Sequence, residues 1–193
     1  MPFDDSSASA AAFAASQAVT APVLALDLSS SVGVAYGPLT ERVPRTTTWH
    51  LPHTGGEGAR YAAFENELIA FIEGYAPIAI VVEHPLPLMA LARGSSDRIA
   101  RQQYTLEGIA RKEAYRASAG WDGADVHTIR SEVMGVGRYS RDTVKREVVL
   151  FCKRRGIRVG SHHAGDAALV WLWYRQRMLG IAPCAGPLWR EAG

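Results

Sequence analysis

Cysteine is scarce in this chain: 193 residues contain only Cys152 and Cys184. Two thiols in a chain this long exclude a disulfide scaffold. Their scarcity fits a reducing compartment, and the expected location is cytoplasmic. These cysteines and the six histidines show no paired ligand spacing, which excludes a structural zinc site. Long apolar runs are also missing. None approaches the roughly 20 residues that a membrane-spanning helix requires, and the mean hydropathy is −0.04. No internal repeat is visible. What remains is 48% apolar and 21% charged residues, an ordinary globular composition. The length suits one domain able to bury a core without metals or bridges.

Charge of one sign is lacking overall, at a net +2, but not locally. Residues 1–100 carry 5 basic and 10 acidic side chains, whereas residues 101–193 carry 16 basic and 9 acidic. Between Arg138 and Arg158 eight basic residues face only Asp142 and Glu147. Such a stretch is either a solvated helix face or the footprint of a polyanion.

The Ala/Ser-rich leader lacks the basic and apolar regions of a secretory signal. It is expected to be a tail over 1–21, followed by one domain over 22–181 and a second tail over 182–193. Within the domain, strands are expected at Val23–Leu28, Val32–Tyr36 and Thr46–Leu51, forming a meander. Helical spacing follows over Ala59–Tyr75, then a strand over Ile78–Pro85 and a helix over about Asp97–Ala119. A strand is expected at Gly123–Ile129 and a Gly-punctuated loop over Ser131–Ser140. Helices are expected at Ser140–Arg155, with Ser140 as N-cap, and His162–Met178, joined by a short link or strand at Ile157–Val159. Strands alternating with helices after an opening meander predict an α/β domain with a mixed sheet.

Three carboxylates stand where apolar residues dominate. Asp27 and Glu83 each end an apolar strand, and Asp166 lies in the first turn of an apolar helix. Each has an ordinary explanation alone: a turn cap for Asp27, a salt bridge for Glu83, the helix dipole for Asp166. Together they suggest more, because ligand sites in α/β sheets form beyond the carboxyl ends of strands. Clustered carboxylates repel one another, and a divalent cation such as Mg²⁺ reverses that cost. Two such ions roughly 3.5–4 Å apart support phosphodiester hydrolysis. His163 precedes Asp166 by three residues and would share its helix face, whereas His162 points elsewhere.

These segments resemble the RuvC-type Holliday junction resolvases, nucleases of the ribonuclease H-like fold. VLALDLSSSVGVAYG resembles the family's opening hairpin with its first catalytic Asp, and IAIVVEHP the strand ending in the catalytic Glu. IRSEVMGVGRYSRDTVKREV resembles the segment with a G-x-G turn between a strand and a basic helix. HHAGDAALVWLWY is similar to the closing helix, where a His or Asp stands three residues before the final Asp. The resemblance implies an α/β, ribonuclease H-like fold with a mixed five-stranded sheet flanked by helices. It implies that Asp27, Glu83, His163 and Asp166 form the catalytic metal site, with Asp27 bridging two Mg²⁺ or Mn²⁺ ions. Arg130 and Arg141 stand where the family has basic residues near the scissile phosphate, and Arg138 and Lys145 extend the DNA-binding stretch. The implied activity is cleavage of four-way DNA junctions to 5′-phosphate and 3′-hydroxyl ends by a symmetric homodimer.

Two positions depart from the family pattern. Ser29 stands where many members have Gly, and Leu86 where bacterial members often carry a stacking aromatic. A branched-DNA nuclease of broader specificity and a non-cleaving junction-binding module remain alternatives. So does an actin-like or sugar-kinase-like ATPase, faintly echoed by Asp27-Leu28-Ser29-Ser30-Ser31-Val32-Gly33, although those folds need two such domains. Trp171 and Trp173 of the last helix would lie in the core or at a dimer surface.

Overall fold

The computed structural model describes residues 20–85, 97–136 and 140–183, with only the backbone of residues 97, 141 and 142. Both expected tails fall almost wholly outside the described residues, as do Leu86 and Arg138. The strands are β1 (Pro22–Asp27), β2 (Ser31–Pro38), β3 (Arg45–His50), β4 (Ala79–Glu83) and β5 (Gly120–Ala124). The helices are α1 (Gly56–Tyr75), α2 (Asp97–Arg116), α3 (Val126–Met134), α4 (Arg141–Arg154) and α5 (His162–Met178). Among the described residues no helix is long and apolar enough to cross a membrane.

The five strands form one sheet in the order β3-β2-β1-β4-β5. β1, β2 and β3 pair antiparallel as the expected meander, whereas β4 and β5 join parallel to β1 and to each other. The sheet is therefore mixed, and helices flank both faces. Alternation along each strand decides which face a side chain serves. Leu24, Leu26, Val32, Val34, Ile80 and Val82 pack with Phe64, Leu68 and Phe71 of α1 and Leu106 and Ala110 of α2. Val23, Ala25, Ala35 and Val81 point the other way, toward Ile129 and Val133 of α3, Val148 and Phe151 of α4, and the length of α5. Trp171 and Trp173 are fully buried in that second cluster, so the core reading of these residues holds. The Trp171 indole N–H donates to the Gly37 carbonyl at 3.1 Å, tying α5 to β2.

Two expectations need correction. The strand expected at Gly123–Ile129 lies earlier, at Gly120–Ala124, and Val126–Ile129 is helical. The cause is Asp125, which sits extended before α3 and accepts from the backbone N–H groups of His127 and Thr128 at 2.9 and 3.0 Å. It is an N-cap, and it overrides the β-branched composition that follows. The loop expected over Ser131–Ser140 is correspondingly shorter, because α3 runs to Met134 before Gly135 ends it with φ 74°. Ile157–Val159, expected as a short link or strand, is the link. The Thr46 hydroxyl of β3 donates to the Arg158 carbonyl instead of a ladder forming.

One glycine decides how closely α5 approaches the sheet. A Cβ on Gly33 of β2 would lie 1.9 Å from the His163 carbonyl oxygen, a collision with backbone that no rotamer relieves. Ser161 completes the docking: its hydroxyl accepts from the Ala164 N–H at 3.0 Å and lies 2.8 Å from the Thr48 hydroxyl of β3. The Gly33→Ala variant should therefore lose about 1–3 kcal/mol or more of unfolding free energy in urea melts, the usual cost of overpacking. Gly108, in mid-α2 with open space around its Cβ position, should show the opposite sign, Gly108→Ala gaining about 0.5–1 kcal/mol.

Candidate active site

β1 and β4 are adjacent and parallel, with Leu26 beside Val82. Asp27 and Glu83 follow these residues, so the two acids end neighbouring strands side by side. By alternation they share a face with Ala25 and Val81, the face that α5 covers. The N-terminus of α5 lies over the Gly33 end of the β1–β2 hairpin, and this brings His163 and Asp166 to the same place. The four residues expected to form the site are thus brought together from three separate elements.

The contacts are specific. His163 Nδ1 lies 2.8 Å from Asp27 Oδ2 and 3.0 Å from Ser29 Oγ. The Ser29 hydroxyl also lies 2.6 Å from the Ser31 carbonyl, to which it donates. Arg130, from α3, donates to Asp166 Oδ1 at 3.2 Å. The Arg130 Nε is buried and has no partner among the described residues. All four of these charged side chains are mostly covered, from 13% exposed at Asp27 to 23% at His163.

This covering sets the electrostatics. Burial, then the charges of Asp27 and Asp166, push the Glu83 carboxyl well above the ordinary carboxylate range, and Arg130 only partly counters them. Burial and the Asp27 charge raise Asp166 to about 6 in spite of the Arg130 pair. The hydrogen bond to Asp27 raises the His163 imidazole, against the opposing effect of burial. His162, with its ring centroid 3.9 Å from that of His163, moves the other way through burial and the positive charges of His163 and Lys145. Three carboxyl groups therefore meet one arginine and one histidine, fewer positive groups than negative ones.

That donor set fits a divalent cation. Oxygen donors in excess of local positive charge are what a hard cation stabilises, and an imidazole can join them. Among the described residues, no three His, Cys, Asp or Glu side chains stand ready-grouped around an ion. Asp27 is turned to His163 and Asp166 to Arg130. Each of these contacts uses one carboxylate oxygen, Oδ2 of Asp27 and Oδ1 of Asp166.

The expected DNA contacts divide. Arg130 faces the acid cluster rather than open solvent. Lys145 of α4 is exposed and near enough to influence both His162 and His163. The side chain of Arg141 lies outside the described residues, as does all of Arg138. Sequence reasoning missed two partners. Ser29 was visible only as a departure from a glycine turn, and its contact with His163 spans 134 residues. His84, directly after Glu83, has its Nδ1 3.1 Å from Glu107 Oε1 of α2, and no motif in α2 announced that pairing. A glycine inside the strand pattern Val32-Gly33-Val34 was the available signal for the close approach of α5.

No protein-family profile matches the chain, and no curated protein matches it in sequence. Solved structures do. Thermus thermophilus RuvC in complex with a Holliday junction substrate matches with a TM-score of 0.64 and 14% identity, over 84% of this chain and 98% of that one. A second Thermus thermophilus RuvC structure gives 0.62 and 15%, with the same coverage. The yeast mitochondrial Holliday junction resolvase gives 0.47 and 13%, over 83% of this chain and 81% of that one. The chain has the mixed-sheet, ribonuclease H-like fold of the RuvC resolvases.

Proposed function

We propose that this chain is a metal-dependent, structure-selective DNA endonuclease that resolves four-way junctions. One observation carries the reading: Asp27, Glu83 and Asp166, distant in sequence, converge with His163 at the carboxyl ends of two parallel strands. The RuvC fold supports the choice of substrate.

Asp27, Glu83, Asp166 and His163 are the residues that would hold Mg²⁺ or Mn²⁺. A bound divalent ion supplies an acidified water and charge stabilisation at the leaving oxygen. Asp27 occupies the central position, since its charge acts on Glu83, Asp166 and His163 alike. Arg130 is poised to move from Asp166 to a phosphate oxygen, and its unpartnered Nε is a second donor for that contact. Lys145 and the other exposed basic residues of α4 would hold backbone phosphates. A four-way junction is two-fold symmetric, so a symmetric homodimer would present one site to each of two opposed strands.

Incubating the protein with labelled junctions, forks and linear duplex, with and without Mg²⁺, tests the reading. Junctions should be cut, and only with the metal. Asp27→Asn and Asp166→Asn should bind junctions and leave them intact; cutting at wild-type rates by both would refute the site. Binding without cutting by the wild-type chain would point to a junction-binding module.

Glu83 and Asp166 have raised values in the folded chain, so between the ordinary carboxylate range and about pH 6 the folded state holds more protons than the unfolded state. Metal-free stability should therefore fall as pH rises through that window. Mg²⁺ should restore stability above it, because only the folded chain binds the ion. Asp166→Asn should raise the metal-free stability at neutral pH by on the order of 2 kcal/mol and lose the Mg²⁺ effect, read by thermal melts.

Lys145→Ala should weaken junction binding at low salt and reduce the slope of log K against log salt by about one. A fluorescence-anisotropy salt titration checks both.

A further inference from the structure

Side chains of β2 and β3 face α1 in two parallel rows. Pairing sets Arg45 beside Tyr36, Thr47 beside Val34 and Trp49 beside Val32, and residues directly opposite each other point to the same side of a sheet. Thr47 is thus a short side chain between two long ones. With Ala70 of α1, also small, it leaves a cavity of about 300 Å³. Tyr36, Trp49, Phe71 and Tyr75 wall this cavity, and the exposed Glu67 is its acidic lining residue. Phe71 is the ring on which the other three lean, with centroids 5.1 Å from Tyr36, 6.1 Å from Trp49 and 4.5 Å from Tyr75. The walls are therefore preformed. The cavity is separate from the acid cluster, because Asp27 and Glu83 point to the α5 face of the sheet and Tyr36 and Trp49 serve the α1 face.

The lining selects the occupant. Aromatic faces attract cations, and a carboxylate beside them adds a Coulombic part. A polyanion is disfavoured, since α1 carries Glu57, Glu65, Glu67 and Glu73 against Arg60 alone. Glu57 and Glu65 are paired with Arg98 and Lys112, whereas Glu67 and Glu73 have no cationic partner among the described residues. Phe64 meets Trp49 and Tyr75 meets Tyr36, so Glu67 lies toward the Trp49 end of the cavity. Arg45 stands at the Tyr36 end, where it acts on the Tyr36 hydroxyl. A positive group that enters is directed away from Arg45 and toward Glu67. β3 is also the edge of the sheet, with Arg45, Thr47 and His50 exposed along it. An extended chain that pairs with this edge passes beside Thr47 and sets alternate side chains over the α1 face. We propose that the cavity is a docking site for an extended basic segment of a partner protein, taking one arginine or lysine side chain among the four rings with its charge toward Glu67. The alkyl stem of that side chain covers the apolar wall. The site stands independently of the nuclease reading.

A pentapeptide, acetyl-Thr-Val-Arg-Val-Thr-amide, is the probe, with Gln or Glu in place of its Arg as controls, added to the ¹⁵N-labelled full chain. The arginine peptide should shift the Trp49 indole and the Thr47 and Ala70 amides saturably. The glutamine peptide should bind more weakly, and the glutamate peptide should leave these signals unmoved. Glu67→Gln, at an exposed position of α1, should weaken the arginine peptide about threefold and leave the glutamine peptide unchanged. Arg45→Ala should tighten the arginine peptide. Tyr75→Leu should weaken it about two- to fivefold and leave junction binding as it is. Equal binding of the arginine and glutamine peptides, or no shift at these atoms, would overturn the proposal. The same shifts with a thymidine oligonucleotide, or weaker junction binding in Tyr75→Leu, would overturn it too, because the cavity would then be a stacking surface for nucleic acid.

Discussion

Three carboxyl groups share one covered pocket, and the fold must hold them there against their mutual repulsion. Everything else in the domain bears on that constraint. The parallel register of β1 and β4 forces Asp27 and Glu83 to be neighbours. The docking of α5 adds Asp166 and supplies His163 as partial relief, while α3 contributes Arg130. The relief is incomplete, as the raised Glu83 and Asp166 show. Two apolar clusters on either face of the sheet provide the opposing stability, and the helix that carries the charged pair is also the one that buries Trp171 and Trp173. α5 thus contributes to the site and to the core at once.

The separation of charge along the sequence acquires a spatial meaning in this arrangement. The acidic first half supplies the strand ends of the pocket. The basic second half supplies Arg130 inside it and Lys145 at its rim, where the lysine acts on both adjacent histidines. A polyanion approaching along α4 would meet positive charge before it met the carboxylates. Cys152, on the same helix, takes no part. Burial pushes its thiol up to about 12, and it packs as a small apolar group against α5.

Much of this was legible in the sequence because it is local. Apolar runs of strand length ending in Asp27 and Glu83 gave both the strands and the acids, and the apolar periodicity of α5 gave its bounds exactly as observed, His162–Met178. The misplacement of β5 came from reading Val126-His127-Thr128-Ile129 by composition when Asp125 was a capping signal. Pairings between distant elements were not legible. Neither the choice of Asp166 as partner for Arg130 nor the contact of Ser29 with His163 leaves a mark in either segment alone, since each depends on where α3 and α5 come to rest. The same holds for Gly33: the glycine is evident, but the carbonyl that forbids a side chain there belongs to a residue 130 positions later.

The contact between His163 and Asp27 spans 136 residues, and it has a consequence for the order of assembly. The meander and its first acid can form early from neighbouring chain, whereas the constellation is completed only when α5 reaches the sheet. A ribosome releasing this polypeptide exposes the opening hairpin long before the closing helix. The acid cluster of the nascent chain therefore stays incomplete until α5 has emerged and docked.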